Sequence, residues 1–441
     1  MHSITVRSVN KLSGTIYVPG DKSISHRAII LGSLAKGTTR ITGFLESEDC
    51  MRTVEIFRQL GVDISKVGKE LVITSNGLHR LKEPKEDLYA GNSGTTMRLM
   101  LGVLAGQKFT SRITGDDSLC KRPMKRVTDP LRQMGAKITG KDNANYAPIT
   151  ICGGALSAIE YKSPISSAQV KSSILLAGLY ANGTTSVIEP FKSRDHTEVM
   201  LKYLGADLKV DETKVSIKGE GHLTSRDIVV PGDISSAAFF IVAASCLEGS
   251  EIVIKNVGVN PTRTGIIDVM RRMGADIELK NKKTISEEPR TDILIKSSRL
   301  KGITIEPKEI PRIIDEIPII AVAAARAREE TVIKGVSELK VKESNRLMAI
   351  HDLFHYFGMK LNDCSSKRLV IPGEQDMKPK IFGDVCNSLG DHRIAMTGII
   401  MGLMAKGTTK IFNTDCINTS FPGFIEILGK ITPKGTIEIE K

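Results

Sequence analysis

The chain has 441 residues, 41% of them hydrophobic, which is enough for at least two domains with separate cores. Its formal charge of +12 calls for a polyanionic partner, and aromatic residues at 4% with no Trp argue against a surface that stacks on nucleic-acid bases. The uncharged apolar runs are too short to cross a bilayer and no cationic, cleavable leader is legible. No membrane partner is therefore expected, and the cytoplasm is the expected location.

The first informative stretch is Val18-Pro19-Gly20-Asp21-Lys22-Ser23-Ile24-Ser25-His26-Arg27. Pro19-Gly20 is turn chemistry, Asp21 or Ser23 can cap a helix, and Ala28 to Leu34 is the apolar body of that helix. Backbone N–H groups at the helix start would face the same place as Lys22, Ser23 and Arg27, so the stretch reads as an anion grip.

The same plan recurs down the chain: a polar helix start, a small-and-apolar helix, a Gly-Thr turn, a strand, a second helix and a Leu/Met/Phe-Gly turn. The first copy runs from Ser23 through Gly37-Thr38 to Leu60-Gly61, and the second from Ser93-Gly94 through Gly106 to Met134-Gly135. The third runs from Ser167 through Gly183-Thr184 to Leu204-Gly205, and the fourth from Asp233 through Gly249 to Met273-Gly274. In the fifth, Asp315 leads into Ile319 to Ala325 and the turn is reduced to Glu330-Thr331 before Phe357-Gly358; the sixth runs from Asp391 through Gly407-Thr408 to Leu428-Gly429. Each copy is a small α/β element that cannot bury both of its faces alone, so six must pack together. The first helices are apolar on most sides and are expected to be buried, while segments such as Lys209-Val210-Asp211 and Val215-Ser216-Ile217-Lys218 predict strand hairpins.

Val18-Pro19-Gly20-Asp21 has a near twin in Val230-Pro231-Gly232-Asp233. The chain is expected to cross between domains at both, with hinges near 19–21 and 231–233. Residues 21–233 would form one domain, with copies one to three, and residues 1–20 plus 234–441 the other, with copies four to six. The fold class is α/β.

Helix starts carry Lys22-Ser23-Arg27, Asn92-Ser93-Gly94 with Arg98, Ser167-Gln169 with Lys171, Asp233, Asp315-Glu316 and Asp391-His392-Arg393. Basic clusters follow at Lys121-Arg122, at Arg194 and at Lys340 to Arg346. This chemistry suits a phosphorylated, carboxylated small molecule. Asp315 and Glu343 are candidate bases, and Lys22 is a candidate acid if neighbouring cations lower its pKa. Two decoys fail. Gly20-Asp21-Lys22-Ser23 lacks the glycine before Lys that a nucleotide-binding phosphate loop needs, and His351 with His355 has no third ligand. Seven cysteines without a C-x-x-C pair fit reduced thiols, so neither a metal nor another cofactor is expected.

Seven motifs in this order resemble the 5-enolpyruvylshikimate-3-phosphate synthase family of enolpyruvyl transferases: Gly20 to Arg27, Gly91-Asn92-Ser93-Gly94-Thr95-Thr96-Met97-Arg98, Lys121-Arg122-Pro123-Met124, Ser167-Ala168-Gln169, Ile314-Asp315-Glu316, Val341 to Leu347 and Gly390-Asp391-His392-Arg393. The resemblance implies an inside-out α/β barrel of six βαβαββ units, three per domain, with helix N-termini facing a closing cleft. It implies transfer of the enolpyruvyl group of phosphoenolpyruvate to the 5-hydroxyl of shikimate 3-phosphate with loss of phosphate, a step of aromatic amino-acid biosynthesis and the target of glyphosate.

By that resemblance Lys22, Ser23, Arg27, Ser167, Gln169, Arg194, Asp315 and Lys342 would hold shikimate 3-phosphate. Lys22, Gly94, Arg122, Gln169, Arg346 and Arg393 would bind phosphoenolpyruvate. Asp315, Glu343 and Lys22 would be catalytic, in a monomer without nucleic-acid partners. Many family members carry Lys just before the final Thr-Phe-Pro, where this chain has Asn418-Thr419-Ser420-Phe421-Pro422, so Thr419 cannot take that role. The rival transferase acting on UDP-N-acetylglucosamine typically has a loop Cys where Asp117 stands here. A basic RNA-end-processing or nucleic-acid-binding protein is supported by charge alone.

Overall fold

A computed structural model describes residues 3–374 and 386–440. The chain divides into two compact units. Unit 1 comprises Met1–Pro19, Pro231–Thr284 and Pro289–Lys441, and unit 2 comprises Gly20–Val230 with Ile285–Glu288.

Unit 2 is built on five helices that matter here: α1 (Lys22–Leu34), α2 (Glu48–Gln59), α3 (Gly94–Ala105), α4 (Ala168–Gly178) and α5 (His196–Tyr203). α1 starts where it does because Asp21 Oδ1 accepts from Ile24 N at 2.9 Å, and Ser93 and Ser167 cap α3 and α4 in the same way. Of the two caps expected for α1, Asp21 is the one used. α1, α3 and α4 are buried along nearly their whole length, as their apolar composition predicts. Gly102 lets α3 pass close to α4, since a Cβ there would meet Ser173 O at 2.1 Å.

Three four-stranded sheets surround these helices. In the first, Lys36–Thr42 pairs antiparallel with Glu70–Asn76, which pairs with Asp63–Val67, while Ile228–Val229 adds a short parallel edge. The third repeats this plan with Thr184–Ile188, the expected hairpin of Leu208–Asp211 and Lys214–Lys218, and the parallel edge Glu160–Lys162.

Unit 1 contains α6 (Ile234–Cys246), α7 (Ile317–Arg326), α8 (Arg346–Tyr356) and α9 (His392–Met404). Phe239 and Phe240 of α6 pack edge-on against Phe424 and Phe421, and each such buried side chain contributes about 1.5–3 kcal/mol. Among the described residues unit 1 also has three four-stranded sheets, and the start of the chain supplies strands to two of them. Ser3–Arg7 lies between Thr408–Phe412 and Ile437–Glu440, and Ser13–Tyr17 runs parallel to Glu251–Gly258. No helix among the described residues is long and apolar enough to cross a membrane.

Candidate active site

The expected site residues fall into two sets. Lys22, Ser23, Arg27, Gly94, Arg122, Ser167, Gln169 and Arg194 lie in unit 2, whereas Asp315, Lys342, Glu343, Arg346 and Arg393 lie in unit 1.

In unit 2, α1 places Lys22 and Arg27 on its first turns. Arg27 is almost fully buried and its planar fork is committed in three directions: Nε donates to Thr197 Oγ1 at 2.6 Å, Nη2 to Ser172 Oγ at 2.8 Å and Nη1 to Ser23 O at 3.0 Å. Lys22 forms an ion pair with Asp49 of α2. A carboxylate therefore stands beside the candidate acid.

α3 presents Gly94 at its start. A Cβ there would lie 3.1 Å from Arg98 Nη1 and 3.5 Å from Arg122 Nη1, so the missing side chain leaves room beside two guanidinium groups. Arg98 Nη1 donates to Gln169 Oε1 at 2.6 Å, and Gln169 Nε2 donates to Thr95 Oγ1 at 3.0 Å, which ties α4 to α3. Arg122 donates through Nη1 to Asn92 O at 3.1 Å and through Nη2 to Asn92 Oδ1 at 2.6 Å; Asp116 anchors Asn92 in turn at 2.7 Å.

Ser167 donates its N–H to Glu189 Oε1 at 2.9 Å, and Glu189 Oε2 accepts from Ser193 Oγ at 2.9 Å, next to the half-buried Arg194. Glu189 also pairs with Lys171 at 2.8 Å, which reaches Glu198 at 2.7 Å; the side chains of all three are at most 3% exposed. Burial alone would lower the Lys171 pKa, but Glu198 and Glu189 raise it above the ordinary ammonium value. Burial lifts the Glu198 carboxyl above its ordinary range, and the ion pair with Lys171 offsets only part of this.

In unit 1 the centre is Arg346, at the start of α8 and 1% exposed. Its Nε donates to Asp391 Oδ2 at 2.8 Å, Nη1 to Asp315 Oδ1 at 3.1 Å and Nη2 to Glu343 Oε2 at 2.6 Å. Burial works against the charge, yet Asp391, Glu343 and Asp315 together hold the guanidinium above its ordinary pKa. Asp391 is fully buried. Burial pushes its carboxyl up, and Arg346 more than offsets this and leaves it below the usual range. Asp391 also caps α9 by accepting from Arg393 N at 2.9 Å and binds Ser344 Oγ at 3.1 Å.

Arg393 Nη1 donates to Asp315 O at 3.0 Å and lies 3.8 Å from Glu316 Oε1. The sequence places Asp315 at a helix start, but α7 begins two residues later with Pro318 in its first turn, so Asp315 sits in the link and does not cap it. Lys342 is half-buried just before α8. Thr419 Oγ1 donates to Cys416 O at 2.7 Å, a local bond that uses its hydroxyl proton.

Asp49, Arg98 and Glu189 in unit 2 and the capping Asp391 in unit 1 hold these residues in place. Arg98 and Asp391 belong to the helix-start groups and motifs legible in the sequence, whereas Asp49 and Glu189 carry no sequence signal. Among the described residues no group of three His, Cys, Asp or Glu side chains gathers as for a metal ion.

Residues 6–428 match the family model described as EPSP synthase (3-phosphoshikimate 1-carboxyvinyltransferase). A 3-phosphoshikimate 1-carboxyvinyltransferase of Brevibacillus brevis is 49% identical over 97% of this chain and 100% of that protein. One of Geotalea uraniireducens is 51% identical over 98% and 99%. The solved EPSP synthase of Acinetobacter baumannii superposes with a TM-score of 0.87 at 45% identity and full coverage of both chains.

Proposed function

The chain belongs to the EPSP synthase family, and from that premise we infer that it is a 3-phosphoshikimate 1-carboxyvinyltransferase. It moves the enolpyruvyl group of phosphoenolpyruvate to the 5-hydroxyl of shikimate 3-phosphate. The observation that carries the assignment of roles is the Arg346 hub, which holds the Asp315 and Glu343 carboxylates on two corners of one rigid guanidinium.

In this reading Lys22, Ser23, Arg27, Ser167, Gln169, Arg194, Asp315 and Lys342 hold shikimate 3-phosphate, and Lys22, Gly94, Arg122, Gln169, Arg346 and Arg393 bind phosphoenolpyruvate. A proton from Glu343 or Lys22 goes to the methylene carbon, which leaves the adjacent carbon cation-like. Asp315 takes the hydroxyl proton as the 5-hydroxyl oxygen bonds to that carbon and forms a tetrahedral intermediate. The C–O bond to phosphate then breaks, the new methyl returns its proton, and the enol ether remains. Two carboxylates and a cation in fixed places are what these two opposed proton transfers need.

The fold-level detail of the proposal is an inside-out α/β barrel of six βαβαββ units, three per domain, with helix N-termini at an interdomain cleft and hinges near 19–21 and 231–233. Domain closure would exclude water and strengthen each ion pair. A monomer in the cytoplasm that needs no metal or other cofactor completes it.

The test is phosphate release from phosphoenolpyruvate in chelator-treated buffer. Release that requires shikimate 3-phosphate is expected. Release that instead requires UDP-N-acetylglucosamine, or none with either acceptor, would overturn the assignment.

A further inference from the structure

We propose that His26 is a positioning residue, held as the Nδ1–H tautomer, which sets the direction of a hydroxyl relay running from α1 to the N-cap of α3. The relay is His26 Nδ1, Thr53 Oγ1, Thr96 Oγ1 and Ser93 Oγ, with successive separations of 2.8, 2.7 and 2.8 Å. All four residues are buried.

Counting hydrogens determines the direction. Thr96 Oγ1 donates to Ser93 Oγ and so spends its one proton. The 2.7 Å contact between Thr53 and Thr96 then needs the proton of Thr53. With that proton spent, Thr53 can only accept from His26, and Nδ1 must carry a hydrogen. The other neutral tautomer would leave two hydroxyl oxygens facing each other at 2.7 Å with no hydrogen between them.

Nε2 completes the picture. It is buried and has no hydrogen-bonding partner among the described residues. Burial, with Lys22 and Arg27 close by, pushes the imidazole pKa well below its ordinary value against the smaller opposing pull of Asp21, so the ring stays neutral and Nε2 is a bare lone pair.

At the far end, Ser93 Oγ receives two hydrogens, from Thr96 N at 3.1 Å and from Thr96 Oγ1. Both of its lone pairs are thereby directed into the first turn of α3, which fixes the backbone at Gly94. Reversal of the relay would turn the Thr96 proton away and loosen that cap. The functional consequence rests on the reading of Gly94 as a phosphoenolpyruvate-binding residue: His26, acting through the cap of α3, tunes affinity for phosphoenolpyruvate.

Two readouts test this on the full chain. The first is two-bond 1H–15N correlation of 15N-histidine-labelled protein without ligand, with the His26 signals assigned by their loss in His26→Asn. A protonated Nδ1, a bare Nε2 and no movement from pH 5.5 to 8.5 are expected; a protonated Nε2 or a titrating ring would overturn the proposal.

The second is steady-state kinetics. His26→Asn still offers an N–H donor to Thr53 and is expected to keep the KM for phosphoenolpyruvate within about threefold. His26→Leu is expected to raise it about tenfold, the scale of one hydrogen bond, with kcat nearly unchanged. Should His26→Leu not fold, Thr53→Val interrupts the same relay and should raise KM in the same way. Equal KM values for the donor-keeping and donor-lacking variants would overturn the proposal. If the wild type turns over no phosphoenolpyruvate, the assigned activity fails, and the spectrum alone still decides the tautomer.

Discussion

Asp21, Asp233, Asp315 and Asp391 all stand at or just before helix starts, and their hydrogen bonds separate them. Asp21, Asp233 and Asp391 each accept a backbone N–H of the helix that follows, whereas Asp315 meets Arg346 from a link between helices. A carboxylate spent on a cap is held for structure, whereas the Asp315 side chain faces two guanidinium groups, Arg346 at 3.1 Å and Arg393 at 3.8 Å. Glu343 likewise meets Arg346. Glu343→Gln keeps the size and one acceptor for Arg346, so KM values should change little while kcat falls by about 10²–10⁴; a steady-state comparison with wild type checks this.

Asp391 carries a stability prediction instead. Its folded pKa lies below its unfolded one, so its contribution is fully present above about pH 4 and is lost as pH falls toward the folded value. Asp391→Asn should cost about 3–5 kcal/mol at pH 7, because Arg346 loses its buried partner, and the gap to wild type should narrow by pH 3. Urea unfolding at the two pH values measures it.

At the scale of elements, the site in unit 2 depends on how closely helices approach. Gly102→Ala would drive a methyl into the Ser173 carbonyl, and the backbone of α4 has to retreat. A loss of about 1–3 kcal/mol in unfolding free energy is expected. Gly94→Ala differs, because the atoms it meets are the ends of two arginine side chains that can give way. Stability should hold or rise slightly, since Ala favours a helix over Gly, while the KM for phosphoenolpyruvate rises.

The Glu189–Lys171–Glu198 cluster is a further element-scale device, in which one buried ammonium lets Glu189 hold both the start of α4 and the Ser193 turn. Lys171→Met leaves two buried carboxylates facing each other. Thermal unfolding should fall sharply at neutral pH and recover in part as acid protonates one of them.

For the molecule as a whole, an excess of positive charge meets substrates that are both polyanions. Steering of this kind weakens as salt shortens the Debye length from about 10 Å at 0.1 M to about 3 Å at 1 M. The ratio kcat/KM should therefore fall with added potassium chloride mainly through KM, and a salt series at fixed pH checks it.

The division between sequence and tertiary structure follows from the range of the interactions. Helix starts, caps and hairpins were legible because their causes are local: Asp21 reaches Ile24, and Val215 and Ile217 alternate with polar neighbours over one strand. The motif residues of both sets were legible because their types and order together are specific to one family.

What the sequence left open are pairings between residues far apart in the chain. Lys22 with Asp49, Arg346 with Asp391 and Asp315, and Ser3–Arg7 laid beside Thr408–Phe412 leave no periodic trace. A buried charge is tolerable only beside its partner, and which partner is near is decided by packing. Tertiary structure alone therefore gathered Asp391, Asp315 and Glu343 around one buried guanidinium.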